Sequence, residues 1–98
     1  MKVVWSPFAI ADLVAIRSYI AEHNPTAAEG VARCILHAIS YLAEHPQLGV
    51  QTHRTDVRKL IVKNSPYIIP YRIVEGEIEI LEIFDGRQKE PRTDLGTP

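Results

Sequence analysis

Val57-Arg58-Lys59-Leu60-Ile61-Val62, then Tyr67-Ile68-Ile69-Pro70-Tyr71-Arg72-Ile73-Val74, then Glu77-Ile78-Glu79-Ile80-Leu81-Glu82-Ile83-Phe84 is the stretch that decides the fold. Each run is rich in β-branched and aromatic residues, which suit a pleated, half-buried surface. Asn64-Ser65-Pro66 and Glu75-Gly76 separate them, both short enough for hairpins, and Asp85-Gly86-Arg87 closes the last. Strands are therefore predicted over 57–63, 67–74 and 77–84. Two features oppose a regular ladder. Pro70 removes a donor, tolerable where that amide would point out of the ladder or at a bulge. The apolar residues Ile78 and Ile80, then Leu81 and Ile83, slip in parity by one, as at a bulge or in a strand covered on both faces.

Upstream the period becomes helical. Lys2 to Trp5 is a short β-like start, and Ser6-Pro7 opens a helix, with serine as cap and proline at the first helical position. Ala9, Leu13, Ile16 and Ile20 form one apolar stripe. Asn24-Pro25 repeats the device for a second helix, with Ala28, Val31, Ala32, Ile35, Ile39 and Leu42 as its stripe and His45-Pro46 and Gly49 at its end. The predicted order is β-α-α-β-β-β, an α+β domain over 1–87 with a helical hairpin on one face of a mainly antiparallel sheet. Gln51 to Thr55 reads as a loop, and residues 88–98 as a polar C-terminal tail.

Composition narrows the function classes. With 98 residues, 46% hydrophobic and 23% charged, the chain has the makeup of a single globular domain. No run approaches the ~20 apolar residues of a membrane span. A lone cysteine, Cys34, fits a reducing cytoplasm. The net charge of −1 lacks the basic excess of proteins that grip many phosphates, so direct sequence-specific nucleic-acid binding is not expected. His37, His45 and His53 have no cysteine or carboxylate at ligand spacing, so neither a metal nor another cofactor is expected.

Trp5-Ser6-Pro7, Asp12-Leu13, Tyr19-Ile20, Asn24-Pro25, Leu48-Gly49, Tyr71-Arg72 and Gly86-Arg87, in that order, resemble the RelE/ParE family of small bacterial toxins over roughly residues 3 to 87. The resemblance implies a toxin of a type II toxin–antitoxin system, held by a cognate antitoxin that typically pairs a DNA-binding N-terminal domain, often ribbon-helix-helix, with a C-terminal segment folding onto the toxin. One branch of the family cleaves mRNA on the ribosome and another poisons DNA gyrase. Cleavage through a 2′-hydroxyl needs a proton acceptor, cations for the developing charge and an acid for the leaving oxygen. The arginine that the nuclease branch places after the tyrosine matching Tyr67 is here Ile68, and the one two residues past Gly86 is Gln88. No tyrosine follows Tyr71 and no histidine follows His53. The resemblance therefore favours the ParE-like branch, acting by contact and not by chemistry.

On that reading the target-binding residues are Arg87, Lys89 and Arg92. An mRNA endoribonuclease would have to use Arg58, Lys63, Arg72 and Arg87 in an unfamiliar arrangement, and an antitoxin-binding remnant that is no longer toxic is a third possibility. Many family members carry histidine before Gly-Arg where this chain has Asp85. Arg58 and Arg72 also fit plain ion pairs with glutamates of the last strand. Beside its core stripe the first helix carries Ile10 and Val14 on a second apolar face, which marks a partner surface, here for the antitoxin segment.

Overall fold

In the computed structural model, which describes residues 1–87, β1 (Lys2–Trp5) leads into α1 (Pro7–Ala21) and α2 (Pro25–Glu44). The strands β2 (Val50–Gln51), β3 (Arg58–Ile61), β4 (Tyr67–Val74), β5 (Glu77–Ile80) and β6 (Phe84–Asp85) follow. Both helices start as their sequences dictate. The Ser6 hydroxyl accepts from the Ala9 amide at 3.1 Å and the Asn24 side chain from the Ala27 amide at 3.0 Å, each with proline in the first turn. Ile35, Ile39 and Leu42 of α2 and Ala9 of α1 are buried, against Leu60, Ile69, Tyr71, Ile78 and Ile80 of the sheet. Each large aliphatic side chain so buried contributes about 1.5–3 kcal/mol.

The sheet runs β1-β5-β4-β3-β2, with β1 parallel to β5 and the other pairs antiparallel. Glu75 and Gly76 both take positive φ (51° and 78°) and link Val74 directly to its partner Glu77. That is the backbone a two-residue hairpin demands.

Two predictions need correction. Val50–Gln51, expected to precede or begin a loop, forms the short strand β2 on β3. The last strand is also interrupted. Tyr71 pairs with Ile80 and Ile68 with Phe84, so Ile69 and Pro70 face three residues, Leu81, Glu82 and Ile83. This extra residue is a bulge, and it explains both irregularities in the sequence. It returns Ile83 to the core face with Ile80, while Leu81 packs with Val57 in a separate cluster. The Pro70 carbonyl accepts from Leu81 at 2.9 Å, so the side of Pro70 without a donor faces the break.

The start of the chain satisfies the bulge. The Ser6 amide donates to the Ile80 carbonyl at 3.0 Å, and its hydroxyl donates to the Leu81 carbonyl at 2.7 Å. The Ile83 amide donates to the buried Asp12 carboxylate at 3.0 Å. A buried amide left without an acceptor costs about 1–3 kcal/mol, so Ser6 and Asp12 are part of the sheet's construction as well as of the helix.

Candidate functional site

Three surfaces stand out, two of which carry residues singled out from the sequence. The first is the Gly-Arg end. β6 pairs Asp85 with Tyr67 across from β4, and the Gly86 amide donates to the Pro66 carbonyl at 2.9 Å. The chain then turns outward and exposes Arg87. The Asp85 carboxylate receives the Arg87 backbone amide at 2.8 Å, Nε at 3.2 Å and Nη2 at 3.1 Å. The carboxylate is mostly shielded, with 12% of its side chain exposed, whereas 71% of the Arg87 side chain is exposed. The Arg87 hydrogen bond holds the Asp85 carboxyl below the usual carboxylate range. Burial, and then the Asp85 charge, push the neighbouring Tyr67 phenol up.

Two of the other cations expected from the sequence, Arg58 and Arg72, are held away from Arg87. Arg58 starts on the core face opposite Tyr71, and its guanidinium donates to the backbone carbonyls of Gly49 at 2.8 Å and Gln47 at 3.4 Å. It therefore braces the turn after α2 and does not pair with a last-strand glutamate as expected. Arg72 lies on the opposite face and does make the expected pair, with Glu79 at 2.5 Å, together with Asp56 at 3.7 Å. Arg58 and Asp85 face β4 residues four positions apart (Tyr71 and Tyr67), about 13 Å along a strand rising roughly 3.3 Å per residue. Lys63 is exposed just beyond β3. Lys89 and Arg92 lie outside the described residues.

The second surface is the outer face of the hairpin. Ile10 and Val14 are 53% and 60% exposed. Val14 lines a groove of about 390 Å³ with Leu13, Ala32 and Leu36, bridged by the Arg17–Glu29 ion pair. The third is an apolar groove of about 450 Å³ on the other flank of α2, lined by Cys34, His37, Tyr41, Leu48, Val50 and Ile61. It follows from the shortness of β2, which covers only Arg58 and Lys59 and leaves the rest of the β3 edge open. The sequence hid this groove, because its residues come from a helix, a turn and a strand and share no periodicity.

Behind it, the buried Tyr71 ring closes the junction. Its hydroxyl donates to the Pro46 carbonyl and accepts from the Gly49 amide, both at 2.8 Å. Gly49 packs so closely that a Cβ there would fall 2.5 Å from Tyr71 Cε1. Burial pushes the Tyr71 phenol up.

A capped helical hairpin on a bulged, mainly antiparallel sheet, with an exposed arginine at the sheet's end and grooves flanking α2, defines a small α+β domain. Residues 3–90 match the family model of the ParE toxin of the type II toxin–antitoxin system parDE. Toxin RelE2 of Caulobacter vibrioides is 40% identical over 82 residues, 84% of this chain and 91% of that protein. The Sinorhizobium fredii protein Y4kP is 35% identical over 91 residues, 93% and 94% of the two chains. A solved structure of the chromosomal ParDE toxin–antitoxin system from P. aeruginosa superposes with a TM-score of 0.78 at 27% identity, covering 87% of this chain and 95% of that one. The chain belongs to the ParE toxin family and is a toxin of a ParDE/RelE-type toxin–antitoxin system. Membership implies an antitoxin partner. No described helix is long and apolar enough to cross a membrane.

Proposed function

We propose that this toxin acts in the bacterial cytoplasm by binding DNA gyrase directly, with Arg87 and the Lys89 and Arg92 that follow it as the contact, and without chemistry of its own. The observation that carries this reading is the distribution of cations. Arg58 holds backbone carbonyls on the core face and Arg72 is paired on the other, while Arg87 lies at the exposed end of the sheet. Phosphoryl chemistry needs cations and a proton acceptor converging on one point. Induced expression is expected to raise DNA-damage signalling and to stall chromosome segregation. Growth arrest with intact DNA counts against it.

The antitoxin, in this reading, carries a ribbon-helix-helix DNA-binding domain and lays its C-terminal segment over the helical hairpin and the sheet edge, anchoring on Ile10 and Val14. The exposure of both side chains, and the groove that Val14 lines, support the placement. A second reading, ribosome-dependent mRNA cleavage using Arg58, Lys63, Arg72 and Arg87, draws on the RelE name of the Caulobacter relative. Cleavage of mRNA in a translation reaction, lost in Arg87→Ala, is the result that favours it. The third, a non-toxic antitoxin-binding remnant, draws on the clamp at Asp85; harmless overexpression without antitoxin favours it.

A further inference from the structure

Arg87 is exposed but already engaged. Asp85 occupies its Nε–Nη2 edge, one of the two edges with which a guanidinium grips a carboxylate or phosphate in parallel hydrogen bonds. The carboxylate is anchored from behind, because Asp85 sits in β6 opposite Tyr67 and also accepts the Arg87 amide. A partner presenting an anion to Arg87 meets a neutralised pair and a resident competitor whose charge repels it.

We propose that Asp85 is an intramolecular latch that attenuates the toxin, competing with a carboxylate of the protein target for the Arg87 guanidinium. The proposal rests on the reading of Arg87 as a target contact and adds to it a device that limits how strongly that contact is made. A carboxylate is the favoured competitor over a nucleic-acid phosphate because the chain has no basic excess to hold a polyanion. Exchange of one carboxylate for another at an exposed arginine also has a small net cost, so the latch yields to a well-placed partner.

Asp85→Asn separates the two duties of the residue. Its Oδ1 still accepts the Arg87 amide, keeping the turn, while the charge that grips the guanidinium is gone. Full-length wild type, Asp85→Asn, Asp85→Ser, Arg87→Ala and the Asp85→Asn/Arg87→Ala double variant are compared for gyrase inhibition, for growth arrest at matched expression and for mRNA cleavage in a translation reaction. Released from its latch, Asp85→Asn is expected to inhibit at about 1.5- to fivefold lower concentration, from the size of exposed ion pairs. Asp85→Ser is expected to follow it, and the gain should vanish in the double variant, a coupling that a merely structural aspartate does not produce. The Arg87 Nε–H resonance should move and exchange faster with solvent in Asp85→Asn.

Gain in growth arrest that depends on Arg87, with gyrase unaffected and mRNA intact, upholds the latch and rejects gyrase as the target. Equal potency of Asp85→Asn and wild type, including the case in which both are inert, overturns the latch. So does a gain that persists without Arg87, or one seen only as mRNA cleavage, since the competing anion is then a phosphate.

Discussion

Removing one oxygen atom from the core offers a quantitative test of how the hairpin is joined to the sheet. Tyr71→Phe keeps the ring, so no cavity forms, but deletes the hydroxyl that binds Pro46 and Gly49 at 2.8 Å each. Loss of one hydrogen bond removes about 1 kcal/mol, and leaving the buried Gly49 amide without an acceptor adds about 1–3 kcal/mol, for a total of about 2–4 kcal/mol. For a domain of this size that lowers Tm by at least about 8–16 °C, at 4–8 °C per kcal/mol. Urea melts should show a lower midpoint at unchanged slope, and the Gly49 amide should lose its exchange protection. The pH dependence has a definite sign. The folded phenol is raised above 10.0, so its stabilisation is complete below pH 10 and is lost as pH rises through the folded value. The variant should lack that alkaline loss. A destabilisation under about 1 kcal/mol, with the Gly49 amide still protected, would refute the bridge as a structural joint.

Three further outcomes follow from the same geometry. Asp12→Ala strips the Ile83 amide of its buried charged acceptor and should cost about 2–4 kcal/mol in a denaturant melt, whereas Asp12→Asn, which keeps an acceptor oxygen, should lose less. Glu75→Asn places a residue tolerant of left-handed backbone at φ 51° and should stabilise the hairpin by about 0.5–1 kcal/mol, read by the same melt. Ile10→Glu with Val14→Glu should change stability by no more than about 0.5 kcal/mol each, because both side chains are exposed. Antitoxin affinity should fall by about 30-fold or more in titration calorimetry, the weight of buried interface anchors. Unchanged affinity removes the hairpin face from the antitoxin site.

Much of the fold was legible because local signals agreed with tertiary structure. Ser6-Pro7 and Asn24-Pro25 cap helices as written, and the stripe from Ala28 to Leu42 faces the sheet. The parity slip at Leu81 and the proline at position 70 were two traces of one bulge, visible as anomalies before their common cause was. What the sequence could not convey is long-range pairing. Asp12 reaches Ile83 across 71 residues and Tyr71 reaches Gly49 across 22, and no local period encodes either. The destination of Arg58 was missed for the same reason, since cross-strand charge logic does not anticipate backbone carbonyls at the end of a helix. Of the candidate site, the sequence offered Arg87 only as a residue type at the end of the last strand. Its pairing with Asp85 required the turn at Gly86 to be seen.

The most direct test of the central claim mixes purified toxin with DNA gyrase, ATP and relaxed plasmid. The account predicts lost supercoiling together with linear, cleaved plasmid, reversed by the antitoxin and weakened in Arg87→Ala. Normal supercoiling with no cleaved plasmid, at toxin concentrations well above those of the enzyme, would contradict it.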